Sequence, residues 1–439
     1  MKEQDQKSDI VVGVDEKISF KTSILLGMQH VLAMDLYLAP IIIAGLLSLT
    51  TENTTFFIQM CFLAAGLATI IQTTIGLRLP VVQGPSYVPI GALAAIGGNL
   101  GMGAVVGSLI PGALLIAVLG RPLKLFAHIV KKIIPPSVAG TVIVIVGISL
   151  MPIPFKGIYT APGFVGHNAL VAFVSTTVLI ICILLGKKGK SFGTFFRLVS
   201  VILAIIAGTI TASLFGSVDF SPVKEAAWFS LPSFFPFGKP VFDLHAILTM
   251  VFIYIVILIE TTGTWFVVST VTNEDLTEKR LNRASFGEGI GCFVGSLFGG
   301  TPMTGYSSNA GLIAITGVAS RRVVLTAGFI LVALGLIPKL STLITCIPGP
   351  VINGIFGVVC IAIAMNGIKV IQHITIDDRN MIVMGMPILL TIGTTILPAE
   401  ILNSLPDFLN YILSSGTAVG AIAAVVLNLI IPKSLFQEK

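Results

Sequence analysis

Charge is what this sequence has least of. Only 10% of its 439 residues are Asp, Glu, Lys or Arg, against 55% hydrophobic residues and a mean hydropathy of +1.00. That balance excludes a soluble globular domain and predicts a polytopic membrane protein. Cysteine is scarce as well: Cys61, Cys182, Cys292, Cys346 and Cys360 lie singly in apolar stretches with no CxxC pair. Structural thiols are therefore expected rather than disulfides or a metal site. The opening stretch, MKEQDQKSDIVVGVDEKISFK, lacks a signal-peptide apolar run and reads as a retained cytosolic tail. No phosphate loop, metal cluster or base-paired nucleophile stands out, so neither an enzyme nor a cofactor is expected. The Phe-rich run 228–242 reads as an extracellular connection, not a nucleic-acid surface.

What is there is apolar length. At roughly 20 residues per crossing, the chain holds about fourteen spans, drawn at 24–47, 55–75, 84–97, 101–120, 136–153, 168–186, 198–216, 244–268, 285–299, 306–318, 322–338, 350–368, 380–397 and 411–432. With the N-terminus in the cytoplasm, 22 of the 26 Lys and Arg fall on the cytoplasmic side. Only Lys156, Lys224, Lys239 and Lys339 fall on the other, a strong positive-inside bias. Both termini are then cytoplasmic.

Two spans cannot be continuous helices. One carries Pro80, Gly84, Pro85 and Pro89, the other Gly299, Gly300, Pro302 and Gly305. Proline removes a backbone donor, and irregular backbone at membrane depth is tolerated only against protein or a cavity. Each is expected to be an extended segment feeding a half-helix whose N-terminus faces a ligand. PPSVAG at 135–140 also echoes PGPVING at 348–354, and the two breaks are offset by a similar interval. The chain thus reads as two inverted seven-span repeats, all-α apart from the short extended pieces.

The polar residues inside the spans are few. Glu260, Asp35 and Glu288 are acids in apolar surroundings, and no Lys or Arg falls in the interior of any span, Arg322 standing only at the edge of one. An intramembrane carboxylate is costly and marks a functional site. Thr264 shares a helix face with Glu260. Tyr306, Ser307, Ser308 and Asn309 open the second half-helix, Ser86 and Tyr87 lie at the first break, and Gln29 and His30 precede Asp35. A planar heterocycle with ring N–H donors and carbonyl acceptors matches this set of groups. His128, His167, His245 and His373 read as loop or interface residues.

At these residues the chain resembles the nucleobase–ascorbate transporters, also called nucleobase:cation symporter family 2, of the bacterial purine and uracil permease type. The family signature is a Gln, Glu or Pro followed by Asn-x-Gly-x-x-x-x-Thr; here it reads Ser308-Asn309-Ala310-Gly311, closing at Thr316. Gln29-His30, Glu260, Glu288 and the GVASR run at 317–321 also match, so the resemblance covers about residues 20–435.

The resemblance implies that Glu260 binds substrate and that Tyr87, Tyr306, Ser307, Ser308 and Thr264 line the pocket. Asn309, Gly311 and Thr316 support it. Glu260, Glu288, Asp35 and His30 are candidates for proton coupling. It also implies a core domain (21–130 and 244–340) moving against a gate domain (131–218 and 341–434). An extracellular connection at 219–243 and cytosolic tails at 1–20 and 435–439 complete the chain. Proton-coupled uptake of a nucleobase across the cell membrane by a homodimer is implied, an oxidised purine such as xanthine or uric acid ahead of uracil. Ser308 replaces the usual Gln or Glu, Thr264 stands where His or Asp is common, and Asp35 stands where the family is usually uncharged. The rival readings are an anion carrier of the sulfate-transporter type on the same fold, and a channel.

Overall fold

The computed structural model describes residues 10–186, 190–372 and 374–431. The ends of both tails, Lys187 and Lys188 of the charge asymmetry, and His373 lie outside the described residues.

The chain opens with α1 (Phe20–Leu32), capped by the Ser19 hydroxyl, and α2 (Leu38–Leu46). A single span at 24–47 was expected here; instead the helix breaks at 33–37. Pro40 sits in the first turn of α2 and has no N–H to give the carbonyl at 36, so the helix cannot run through. Asp35 sits in the break, its carbonyl accepting from Leu38 N at 3.0 Å. The first span is thus broken as well as the two expected from their prolines and glycines.

Next come α3 (Thr51–Thr74), strand β1 (Gln83–Pro85), α4 (Ile90–Leu100) and α5 (Met102–Gly120). The short amphipathic helix α6 (Phe126–Ile133) lies between the expected spans 101–120 and 136–153; it buries Phe126, Ala127 and Val130 and turns Lys131 and Lys132 outward. Lys131 reaches Glu278 at 2.6 Å, and that hydrogen bond, then the charge itself, holds the Glu278 carboxyl below the usual range. α7 (Pro136–Leu150), α8 (Pro152–Thr160), α9 (Val165–Leu185) and α10 (Lys190–Ser213) follow, then α11 (Ser221–Glu225) and an irregular connection. Phe237 in that connection packs edge-on against Phe56 and Phe57.

The second half contains α12 (Leu244–Thr272), α13 (Glu278–Leu297), strand β2 (Met303–Gly305), α14 (Ser308–Thr316), α15 (Arg321–Leu334), α16 (Pro338–Thr345) and α17 (Gly349–Ile371). It closes with α18 (Asp378–Thr395), α19 (Ala399–Asn403), α20 (Asp407–Leu413) and α21 (Gly416–Ile430). Buried Arg379 at the start of α18 donates to the Asn428 and Ile431 carbonyls at the end of α21, which satisfies an otherwise open helix terminus.

Among the described residues, six helices are long and apolar enough to cross a membrane unaided. A seventh counts if α15 and α16, bent by 80°, form one span. The protein is a multi-pass membrane protein, and its remaining described helices are shorter or broken. All five cysteines are free thiols, four of them buried. α7 and α17 carry the two echoing motifs and pack closely, because Gly140, Gly147 and Gly367 bring the backbones together. A Cβ on Gly147 would come within 2.6 Å of the Cys360 carbonyl oxygen.

Candidate functional site

β1 and β2 lie side by side, antiparallel, pairing Gln83 with Gly305, Gly84 with Thr304 and Pro85 with Met303. The bonding continues past both ends: Ser86 N donates to the Pro302 carbonyl at 2.8 Å and Tyr306 N to Val82 at 3.1 Å. Two isolated strands in a membrane leave further backbone groups open, and helix side chains meet them. On α3, the Thr69 hydroxyl accepts from Gln83 N at 2.9 Å and lies 3.4 Å from the Gln83 carbonyl oxygen. On α12, Thr261 accepts from Gly305 N at 3.0 Å while Thr264 donates to the Gly305 carbonyl at 3.1 Å. Gly84 must lack a side chain, because a Cβ there would stand 2.5 Å from Cε2 of Tyr306.

The strand pair holds two aromatic rings and presents one carboxylate. Tyr306 donates its hydroxyl to the Pro85 carbonyl at 3.0 Å. Tyr87 stacks on Phe356 of α17, with centroids 5.6 Å apart and planes at 29°. Its hydroxyl donates to Asp35 Oδ2 at 2.6 Å. Glu260, 9% exposed on α12, accepts from Ser86 Oγ at 3.2 Å, and the same Ser86 oxygen accepts from Val88 N.

These groups line a cavity of about 200 Å³, which also includes Thr304, Ser307, Ser308 and, across from them, Val358, Val359 and Asn366 of α17. Asn366 Nδ2 donates to Ser307 Oγ at 3.1 Å, joining α17 to the N-terminus of α14. The lining contains two carboxylates and no basic residue. Such a chamber favours a solute with N–H donors, and the only compensation it offers an anion is a proton carried on one of its own carboxyls.

Of the residues singled out from the sequence, Glu260, Tyr87, Tyr306, Ser307, Ser308, Thr264 and Asp35 come together in this one cavity. Asp35 pairs with Tyr87, not with His30. His30 is buried beside Asn309, whose amide donates to the Pro80 carbonyl and so ties α14 to the chain entering β1. Thr316 ends α14, its hydroxyl bonded back to the Leu312 carbonyl, and Gly311 faces outward on the same helix. Glu288 does not line the cavity; it is buried behind the strands and accepts from Gln72 Nε2 at 2.7 Å. Asn366, Gln72 and the bond from Ser86 to Glu260 are not among the residues and contacts expected from the sequence. Asn366 and Gln72 are polar residues in apolar spans, and that was the available signal.

Half-helices meeting at a strand pair, with a small polar chamber at their ends inside a multi-pass helical body, have the architecture of a membrane transport protein. Residues 21–400 match the family profile described as the permease family. Over 427 residues the chain is 34% identical to the uric acid permease PucJ of Bacillus subtilis, covering 94% of this chain and 93% of that one. It is 32% identical over 433 residues to a putative purine permease of Clostridium perfringens, covering 97% and 94%. It is also 32% identical over 422 residues to the xanthine permease of Bacillus subtilis, covering 94% of each. The chain belongs to this permease family, the nucleobase–ascorbate transporters.

Among solved structures, the transmembrane domain of the cyanobacterium bicarbonate transporter BicA matches with a TM-score of 0.64 at 17% identity, covering 86% of this chain and 97% of that one. The murine anion transporter Slc26a9 in its inward-facing state matches with a TM-score of 0.61 at 14% identity, covering 94% and 69%. These two share the fold.

Proposed function

We propose that this protein is a secondary active transporter that takes up an oxidised purine, xanthine or uric acid ahead of uracil, by proton-coupled symport. The observation that carries the reading is the Glu260 carboxylate, oriented by Ser86 at the wall of a chamber with no basic residue. The chamber is below the roughly 300 Å³ at which drug-sized sites begin, which suits a small planar heterocycle. Relatives spanning nearly the whole chain are a uric acid permease and a xanthine permease by name.

In this mechanism Glu260 accepts a ring N–H, Tyr87 and Tyr306 provide the aromatic wall, and Ser307, Ser308 and Thr264 fill the polar edge. Asn309, Gly311 and Thr316 form the supporting half-helix. Glu260, Glu288, Asp35 and His30 are the candidates for carrying the coupling proton, and no cofactor takes part. The fold reads as fourteen spans in two inverted repeats. The core (21–130 and 244–340) rocks against the gate (131–218 and 341–434), both termini are cytoplasmic in the cell membrane, and the working unit is a homodimer. Acids without a base in the chamber weigh against the anion-carrier reading that the structural neighbours raise.

The test is uptake of labelled xanthine, urate and uracil into proteoliposomes with an imposed pH gradient. Uptake should rise when the outside is acidic and show counterflow, and Glu260→Gln should abolish it. Undiminished uptake by folded Glu260→Gln removes the site assignment. Sulfate or bicarbonate flux without purine flux removes the substrate assignment.

A further inference from the structure

A second concave site lies far from the chamber, on the face the proposed topology makes cytoplasmic. Two helices begin there, and one of them, α15, begins with the wrong charges. α15 starts with Arg321-Arg322, has no acid in its first turn and no side-chain cap. α13 carries Lys279, Arg280 and Arg283 in its first two turns, against the single acid Glu278. Helix N-termini carry partial positive charge and favour anions, so these cations raise an already positive potential. Arg78 joins them from the turn after α3, in a left-handed backbone conformation (φ +59°) that an L residue adopts at a cost. Arg283 is pulled below the usual guanidinium range, first by burial and then by Arg78, Arg121, Arg280 and Arg321 around it.

At the start of α15 lies a cleft of about 340 Å³ whose polar lining is Asp15, Thr73, Thr74, Arg78, Arg321 and Arg322. Thr73 is 1% exposed, and its hydroxyl has no hydrogen-bond partner. Among the described residues, Arg78 and Arg322 form no ion pair.

One carboxylate already sits at the mouth. Residues 12–16 form a strap across this face: Ala319 N donates to Val12 O, Arg321 N to Val14 O, and Ser320 Oγ to Glu16 O at 2.8 Å. The strap delivers Asp15 to the Arg321 guanidinium, whose Nε lies 2.6 Å from Asp15 Oδ1. Arg321 also donates to the Thr73 carbonyl at 3.2 Å. Three guanidinium groups, a buried hydroxyl without a partner and one exposed, displaceable carboxylate form an anion site, and guanidinium forks match phosphate oxygens in pairs.

We propose that this cleft binds a phosphate group, held by Arg78, Arg321, Arg322 and the Thr73 hydroxyl, and that Asp15 of the strap is the carboxylate it displaces. The phosphate belongs either to a soluble phosphate compound or to an anionic phospholipid headgroup, since both offer the same oxygens. The cleft adjoins Gln72, which accepts from Leu77 N at 3.0 Å and donates to Glu288 at 2.7 Å. An occupant therefore braces the turn that leads into β1.

The test uses the full chain in two arms. In phosphatidylcholine nanodiscs, ATP and inorganic phosphate are titrated by thermophoresis. In detergent, retention of phosphatidylglycerol against phosphatidylcholine is read by native mass spectrometry. Saturable binding is expected in at least one arm, and which arm responds identifies the source of the phosphate. Binding should weaken about tenfold in Arg78→Gln/Arg322→Gln, weaken in Thr73→Val, and tighten in Asp15→Asn. Glu278→Gln, an acid on the same face paired to Lys131, should change nothing. If the double Gln variant fails to fold, Thr73→Val and Asp15→Asn carry the test with opposite expected signs. The proposal is overturned by no saturable binding in either arm, by full-strength binding in the folded double variant, or by Glu278→Gln tightening binding as much as Asp15→Asn.

Discussion

Two hydroxyls govern the carboxylates of the chamber, and their removal separates orientation from mere proximity. Ser86 Oγ donates to Glu260 while accepting from Val88 N, so Ser86→Ala takes a donor from a charged group and a partner from a buried amide. A hydrogen bond to a charged group is worth about 1.5–3 kcal/mol, so the apparent KM for the purine should rise roughly ten- to hundredfold. Uptake kinetics read this directly, and an unchanged KM would remove Ser86 as the orienting group. Asp35 and Tyr87 give a second contrast. Tyr87→Phe keeps the ring on Phe356 but leaves the Asp35 carboxylate without its donor, whereas Asp35→Asn keeps a carbonyl acceptor for the hydroxyl. Stranding a buried charge costs more than exchanging an acceptor. Tyr87→Phe should therefore lower the melting temperature further than Asp35→Asn; the reverse order would show that the carboxylate charge matters less than its hydrogen bond.

At the scale of elements, close packing sets what can move. α7 and α17 approach through Gly140, Gly147 and Gly367, and α17 also carries Phe356 and Asn366 to the chamber. Gly147→Val should overpack the contact by about 1–3 kcal/mol, shift α17 and lower both melting temperature and uptake. A variant that melts earlier yet transports normally would dissociate α17 from substrate handling. The same elements show what the residue pattern could reveal. The breaks at 80–89 and 299–305 were legible because several prolines and glycines punctuate them, and each indeed holds a strand and a half-helix. The break in the first span was not, because Pro40 alone interrupts an apolar run and Asp35 reads equally well as a residue within a helix. α6 was missed because an amphipathic helix of eight residues has too little apolar length to mark a span. The strap was invisible for another reason: it pairs Val12 and Val14 with a segment some three hundred positions away, through backbone groups that sequence does not display. Seven of the chamber's residues were legible because polar side chains in apolar spans are rare. Asn366 escaped because it stands in a span without an acid.

The whole molecule holds two chambers on opposite sides of one partition. The first, about 200 Å³, runs past Ile183, Ser200 and Asn366 toward the C-terminal ends of α9 and α17. The second, about 670 Å³, is lined by Gly45, Val88, Ile352 and Lys156, toward the opposite ends of the same helices. Between them stand the Tyr87–Phe356 stack, the bond from Thr417 Oγ1 to the Val88 carbonyl, and the close approach of Gly91 to the Ser414 carbonyl. A carrier needs such a partition to be closed on one side while the other is open, whereas a channel does not. The arrangement makes orientation and gating testable together, in a Cys346→Ser background, since the other four thiols are buried. Ala362 lines the smaller chamber and Lys156 the larger; in right-side-out vesicles a membrane-impermeant maleimide should label Lys156→Cys and spare Ala362→Cys, and in inside-out vesicles the pattern should invert. Adding Phe356→Ala removes one ring of the stack, and Ala362→Cys should then react from both sides, with purine uptake falling as the gradient leaks. Labelling of Ala362→Cys from the outside without that substitution would show a continuous pore, and the carrier reading would give way to the channel.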